Sequence, residues 1–345
     1  MADRFRLLDL NEDCVKTVLK CFDGLDVISF SLCSKKRLAN VRSLKLHIDE
    51  LSLYCGNILY LKYDFGEHMI KLCFYEDGHD REIAESDNRP RRLKVDYIEG
   101  SYLFGPLSRV DENQERVIRH WRKASFSGND WLRHMMSVFN CAEIRFFSII
   151  SSKFEIDSLV DTVRNFNIFE TSILQAVSKE HTLRLLNVLP CLDYLSVSLS
   201  TLDEHSEFSI LLRNHRSLTV RSRNKMTLDN ILSVNSLSFK CFDLRVRDVN
   251  RFIKLWKKGA NPRLRYLYVR YYANPVGAAV LNENEVLREV QYQRIPQGTV
   301  RMFEMAANHM RIVEGFDIVG KNGRKATVTL KNEEMHSSFH MYIWQ

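Results

Sequence analysis

From residue 144 onward the chain alternates short apolar runs with amphipathic stretches, and this alternation restricts the fold more than any other feature of the sequence. Runs beginning near Ile144, Thr171, Tyr194, Ser217, Ser236 and Leu264 read as strands, spaced 19 to 28 residues apart. A parallel strand is reached only through a crossover of about a dozen residues or more, which these gaps supply. Helices are expected in the gaps at 157–166, 182–189 and 248–258. Two of the repeats share a literal pattern. Pro190-Cys191-Leu192-Asp193-Tyr194-Leu195-Ser196-Val197 and Pro262-Arg263-Leu264-Arg265-Tyr266-Leu267-Tyr268-Val269 both read P-x-L-x-Y-L-x-V. The pattern implies a curved, mostly parallel sheet with helices outside.

The opening forty residues obey a different rule. Asn11 can accept a hydrogen bond from the free N–H groups of a following turn, and Glu12 and Asp13 suit the positive end of the helix dipole. Val15, Val18, Leu19 and Phe22 then fall on one stripe, and Asp23-Gly24 breaks the run. Leu25, Ile28 and Leu32 repeat the spacing with Asp26 as the expected cap, and Leu38 and Val41 continue it past Lys35-Lys36-Arg37. Three short amphipathic helices of this size remove little of their surface from water on their own. Burying Val15, Val18, Leu19, Leu25, Ile28 and Leu32 releases about 10 kcal/mol gross. Periodicity leaves two outcomes open, an intramolecular subdomain or a docking module whose association costs about 4 to 15 kcal/mol.

The residues Leu10-Asn11-Glu12-Asp13-Cys14-Val15, Val18-Leu19 and Leu25-Asp26-Val27-Ile28-Ser29-Phe30-Ser31-Leu32-Cys33-Ser34-Lys35 resemble an F-box. The resemblance implies docking on the Skp adaptor of an SCF-type cullin-RING ubiquitin ligase through Leu10, Val15, Val18, Leu19, Leu25, Ile28 and Leu32. F-boxes usually carry proline after the first leucine, where this chain has Asn11, so the helix is capped by a hydrogen bond rather than by a fixed φ. A second resemblance lies in residues 244–264. An Asn250-x-Phe252-x-x-x-Trp256 helix ends at Gly259-x-Asn261-Pro262-x-Leu264, similar to the F-box-associated (type 2) domain of a nematode F-box family, covering about 190–270. Val249, Phe252, Ile253 and Trp256 form an apolar stripe, Gly259 suits a left-handed stop, and Asn261-Pro262 turns the chain into a strand. These residues are expected to serve the fold rather than chemistry.

Residues 46–104 read as an antiparallel meander with turns at Gly56-Asn57, Gly66 and Asp77-Gly78, followed by an exposed loop at 86–94. Helices are expected at 111–123 and 130–139, the second capped by Asn129, with Trp121 and Trp131 in the core. The chain ends in a hairpin, 316–319 and 325–330 around Asn322-Gly323, with a third strand at 338–344. The fold class is therefore α/β: an N-terminal three-helix F-box, then an irregular leucine-rich-repeat-like strand-helix domain with antiparallel β additions. Domains are expected at 1–45, 46–140 (β-rich and helical connecting region) and 141–345.

Scattered charges near the start and the lack of any apolar run near 18 residues speak against a signal peptide or a membrane span. Eight cysteines without a C-x-x-C pair fit a reducing compartment, cytoplasm or nucleus. Phosphate loops, H-E-x-x-H and G-x-S-x-G are missing, so neither an enzyme nor a cofactor or metal is expected; His336 and His340 stand about 13 Å apart on a strand. Charge is uneven. Between Arg213 and Arg270, 15 Lys or Arg face only Asp229, Asp243 and Asp248, a balance of +12 against +7 for the whole chain. Arg245, Arg247, Arg251, Lys254, Lys257 and Lys258 cluster there near Trp256, with Arg221, Arg223 and Lys225 one repeat earlier, as a candidate site for an acidic partner. The expected function is that of a substrate-recognition adaptor that captures an unknown protein. The alternatives are an interaction scaffold without a ligase role, its first helices a cap, and nucleic-acid binding through the Arg213–Arg270 block.

Overall fold

The computed structural model describes residues 10–48, 50–65, 68–76, 90–103, 118–174, 177–189, 192–200, 202–221, 226–272, 280–305 and 308–344. The turns expected at Gly66 and Asp77-Gly78, residues 86–89 of the 86–94 loop, residues 111–117, Pro190-Cys191, Arg223 and Lys225 lie outside them. The architecture is mixed α/β, in two compact units, Met1–Cys191 and Leu192–Gln345.

The first unit opens with α1 (Glu12–Leu19), α2 (Gly24–Leu32) and α3 (Lys35–Ser43). Asn11 Oδ1 accepts from the Cys14 N–H at 2.8 Å, as expected, and Ser34 caps α3. The cap of α2 is Asp23 rather than Asp26: its Oδ1 accepts from the Asp26 N–H at 2.7 Å, so the helix starts inside the Asp-Gly break. Next come β1 (Leu51–Cys55), β2 (Leu59–Phe65), β3 (His68–Tyr75), β4 (Tyr97–Leu103) and β5 (Ile118–Arg122). The unit then runs through α4 (Gly128–Val138), β6 (Ile144–Ile149), α5 (Ile156–Val163), β7 (Ile168–Ile173) and α6 (Lys179–Val188). Its strands lie in the order β7-β6-β1-β2-β3-β4-β5. β1 pairs antiparallel with β2 and parallel with β6, joining the meander to the strand–helix succession in one sheet.

Three local expectations fail between β4 and α5. Residues 118–122 are a strand, not the end of a helix, because β4 offers them a ladder from Tyr97↔Arg122 to Ser101↔Ile118, and pairing overrides local helical spacing. Ser127, not Asn129, caps α4, in a reciprocal box with Asp130. The Asn129 amide instead donates to the carbonyls of Asp161, Thr162 and Arg164 at the end of α5. Trp131 is in the core, whereas Trp121 is half-buried.

The N-terminal helices are built into this unit. Val15, Leu19, Leu25, Val27, Ile28 and Val41 are all buried. Ser31 Oγ lies 2.8 Å from His134 Nε2 of α4, Trp121 Nε1 donates to Ser29 Oγ at 2.9 Å, and the Leu25 N–H reaches the Tyr102 hydroxyl at 3.4 Å. Gly100 of β4 provides the clearance. A Cβ there would meet the Trp121 ring at 2.7 Å and Leu25 Cδ2 at 3.0 Å.

The second unit contains β8 (Tyr194–Ser198), α7 (Glu204–Leu211), β9 (Ser217–Arg221), α8 (Leu228–Ser233), β10 (Ser238–Phe242), α9 (Val246–Lys257) and β11 (Tyr266–Tyr272). It continues with α10 (Glu283–Val286), β12 (Gln293–Arg294), β13 (Arg301–Met305), β14 (Asn308–Ile312), β15 (Phe316–Val319), a 3₁₀ turn (Lys321–Gly323), β16 (Lys325–Asn332) and β17 (His336–Ile343). The order is β8-β9-β10-β11-β17-β16-β15-β12. β8 to β11 are parallel, and β11 to β12 are antiparallel neighbours. The strands β6 to β11 begin within three residues of the expected positions. The C-terminal hairpin and its third strand also form, with Gly323 at φ +74° in the turn.

Because β8 to β11 follow one another in space as in sequence, each crossover moves the same way, and a common right-handed sense lays α7, α8 and α9 on one side of the sheet. Leu195, Val197, Leu218, Val220, Phe239, Cys241, Leu267 and Val269 are sealed on that side, opposite Ile210, Ile231, Phe252 and Trp256. The residues of the 244–264 motif are internal fasteners, as expected of them. Asn250 Nδ2 donates to the Val286 and Arg288 carbonyls at 2.9 Å each, and Asn261 Nδ2 to those of Ile231 and Val234. Gly259 sits at φ +102° behind α9.

Candidate partner-binding face

Side chains alternate along a strand, so the second unit's sheet carries a second set of residues on the side away from its helices. The ladder registers bring Lys240, Tyr268, His340 and Thr329 into one row across β10, β11, β17 and β16. Phe242, Arg270, Ser338 and Lys331 form the next. Thr219 and Arg221 of β9 extend these rows, Thr219 by its register with Lys240. Arg221 and Tyr272 are exposed, and Lys240, Phe242, Tyr268 and Arg270 are half-buried.

One end of this face is closed by the β13–β14 hairpin. Phe303 and Ile312 pack with Tyr266, Tyr342 and Ile295, flanked by Met305, Met310 and Trp344. A polar brace holds the hairpin: Arg301 takes both oxygens of Asp317 at 2.7 and 2.8 Å, and Thr327 donates to Asp317 at 2.7 Å. Burial works against the charge on Asp317, but these hydrogen bonds prevail and hold its carboxyl below the usual range. His340 marks the hairpin's edge. Its Nδ1 lies 2.9 Å from the Tyr266 hydroxyl and 3.2 Å from that of Tyr342, and its Nε2 3.1 Å from Ser338 Oγ. Burial, reinforced by Lys331 and Lys240, pushes this imidazole down to about 4, so it is neutral at pH 7.

Beyond the hairpin the face is aromatic and cationic. Phe242 and Tyr272 stack at 5.6 Å with rings 4° from parallel, and the Arg270 guanidinium lies 5.3 Å from the Tyr272 centroid. Arg270 Nη2 contacts His336 Nδ1 at 3.2 Å, while its buried Nε has no hydrogen-bond partner. His336 in turn meets Glu333 at 3.2 Å through Nε2. Among the described residues no group of three or more His, Cys, Asp or Glu is placed to hold a metal ion, and no helix is long and apolar enough to cross a membrane.

The basic cluster read from the sequence is placed elsewhere, on α9. Lys254 pairs with Glu289 at 2.6 Å and Lys257 donates to the Gln291 carbonyl at 3.2 Å, so both fasten the chain after α10. Arg247 and Arg251 flank Asp248 at 4.0 and 3.9 Å, Arg245 is the residue at the start of α9, and Lys258 ends it. The residues expected from the sequence to meet an acidic partner thus lie on α9, while a second basic set lies on the sheet. The overlooked signal is that β11, Tyr266-Leu267-Tyr268-Val269-Arg270-Tyr271-Tyr272, alternates a sealed apolar set with a Tyr/Arg set.

Of the residues expected to dock an adaptor, Val15, Leu19, Leu25 and Ile28 are sealed inside the first unit. Leu10, 36% exposed, and the half-buried Val18 and Leu32 are the ones left for a partner to reach. The ridge is covered because α2 and α3 pack on α4, a partner that periodicity within forty residues does not reveal. A cleft of about 250 Å³ between α1 and α3 is lined by Leu10, Glu12, Val15, Lys16, Lys36, Asn40 and Ser43.

Residues 209–269 match the protein family described as F-box associated. This region is similar to F-box-associated domains. It runs from α7 into β11 and contains Arg221, Lys240 and Phe242 of the cationic face together with Asn250 and Trp256. Over 147 residues the chain is 26% identical to the F-box associated domain-containing protein sdz-33 of Caenorhabditis elegans, and the match covers 42% of this chain. It covers 46% of that protein, so the chain spans about half the length of the curated relative it matches. Both matches support the nematode F-box-associated resemblance read from residues 244–264. No solved structure matches.

Proposed function

We propose that this chain is a substrate-recognition subunit of an SCF-type cullin-RING ubiquitin ligase, active in the cytoplasm or nucleus. In this reading the N-terminal helices are an F-box that holds the Skp adaptor, and the second unit, an irregular leucine-rich-repeat-like array, captures a target protein on its aromatic–cationic face. Its contribution is proximity rather than bond chemistry, since a tethered target meets the conjugating enzyme at high effective concentration. The observation that carries the reading is the overlap of the F-box-associated region with the strands that bear Arg221, Lys240 and Phe242.

The test uses the accessible part of the N-terminal helices. Leu10→Asp combined with Cys14→Arg alters an exposed surface without opening the core. Co-expressed with the Skp adaptor, this variant should keep its melting temperature and lose the adaptor on affinity purification. An unchanged adaptor yield from the folded variant refutes the docking model. Leu19→Asp does not serve, because a charge at this buried position unfolds the helices whether or not they dock.

A second reading, an interaction scaffold whose first helices are structural, is favoured by the Ser31–His134 and Trp121–Ser29 bonds that tie α2 to the first unit. It predicts a stable chain that purifies without an adaptor.

A further inference from the structure

The six adjacent strands β8, β9, β10, β11, β17 and β16 contain no aspartate or glutamate. Their side away from the helices presents Arg221, Lys240, Arg270 and Lys331. Three carboxylates just outside these strands have tasks of their own, and Glu334 stands in the turn between β16 and β17. Asp243 follows β10 and accepts from the Tyr272 N–H at 3.5 Å, Glu333 holds His336, and Asp317 is taken by Arg301 and Thr327. Arg270 keeps a buried Nε donor with no acceptor, which buried donors rarely tolerate. Resting on the receptor reading above, we propose that this face binds an acidic, extended segment of a protein partner, with carboxylates at every third residue.

The spacing comes from the register. Arg270 pairs with Ser338 and Ser338 with Lys331, so Arg270 and Lys331 stand two strands apart in one row. Phe242 pairs with Arg270, and continuing the β9–β10 register sets Arg221 beside Phe242, two strands from Arg270 on the other side. Neighbouring strands are about 4.8 Å apart, so the three cations repeat at about 9.6 Å across the sheet. A polyproline-II segment brings every third side chain to the same side at about 9.3 Å, and this is a dominant conformer of unfolded chains. Glutamates at i, i+3 and i+6 therefore meet Arg221, Arg270 and Lys331 in turn, with Lys240 one row away. Arginine's fork adds paired hydrogen bonds to the carboxylate contacts.

Nucleic acid fits this face less well. Binding a single strand relies on bases stacking on free aromatic faces. Here Phe242 and Tyr272 stack on each other, Arg270 lies against Tyr272, and Tyr268 meets His340 edge-on at 4.9 Å. Each of these rings already has an aromatic or cationic neighbour in the chain, whereas Arg221 and Lys331 are exposed.

The test is fluorescence anisotropy on the full chain, with a labelled peptide carrying glutamate at every third position, its glutamine counterpart, and a labelled single-stranded oligonucleotide. The glutamate peptide should bind, more weakly as salt rises, and the glutamine peptide should not. Lys240→Gln, Lys331→Gln and Arg270→Gln should each weaken binding about threefold, and Arg270→Lys less. A glutamate peptide that binds no better than the glutamine one, binding indifferent to all three substitutions in folded protein, or tighter capture of the oligonucleotide overturns the proposal. Adaptor co-purification is scored separately. A wild-type chain that binds the peptide but captures no adaptor refutes the ligase reading alone, and one that captures the adaptor but not the peptide refutes the acidic-segment assignment alone.

Discussion

Asn250 offers the sharpest test of how the second unit is held together. Its buried amide donates to two carbonyls, Val286 and Arg288, at 2.9 Å each, and so clamps the turn after α10 onto α9. In Asn250→Ala both carbonyls lose their donor inside the protein. A net contribution of about 1 kcal/mol per bond, plus the desolvation of acceptors left unpaired, gives a loss of about 2 to 4 kcal/mol. Asn250→Asp keeps the shape but faces a carboxylate with two carbonyl oxygens, so it should be worse than alanine at pH 8. Its folded pKa would be raised above the unfolded value of about 3.9, so the deficit grows as pH rises above that value and is smaller at pH 5 than at pH 8. Urea unfolding followed by the fluorescence of Trp256, which is buried on the same helix, reads the effect as a lower midpoint, and hydrogen exchange of the 286–291 amides localises it. If Asn250→Asp unfolds at the wild-type midpoint at both pH values, the clamp carries no weight and the reasoning fails.

Other outcomes follow from the same geometry. Acid should weaken the fold. His340 is held near pKa 4 against about 6.5 when unfolded, so its stabilising term is complete above pH 6.5 and fades as pH falls toward 4, by about 2 kcal/mol at pH 5. His134, also pushed down to about 4 by burial and then by Lys123, acts in the same window, and a chemical-denaturation profile that stays flat from pH 7 to pH 5 contradicts both assignments. Gly100→Val should lower stability by about 1 to 3 kcal/mol through collision with Trp121 and Leu25, seen as early protease cleavage near α2, and unchanged cleavage refutes the close approach. Lys254→Met should leave the melting temperature nearly unchanged because Glu289 is exposed to water, and a large drop would mean the pair matters more than its screening allows.

Local chemistry told much of this fold in advance. Asn11, the Asp-Gly break and the amphipathic spacing give three N-terminal helices, and the alternation from residue 144 gives strands that start almost where expected. The Asn250, Trp256, Gly259 and Asn261 motif was correctly read as architecture. Caps within three residues of a competitor were harder. Ser127 and Asn129 are both good caps, and what chose between them was the open end of α5, which takes the Asn129 amide. Residues 118–122 likewise became a strand because β4 had an unpaired edge, a fact with no local trace.

What the sequence determined by itself was periodicity: which residues share a stripe, where helices start, and that a basic region lies between Arg213 and Arg270. What the tertiary structure decided was who meets those stripes. Val15, Leu19, Leu25 and Ile28 look alike whether an adaptor or the same chain covers them, and here their own unit does. The basic region was likewise divided in space, with Lys254 and Lys257 fastened to 289–291 while Arg221, Lys240 and Arg270 line the sheet. Periodicity is fixed by bonds a few residues long, whereas burial and charge pairing depend on contacts between distant segments, which exist only after the strands have chosen their neighbours.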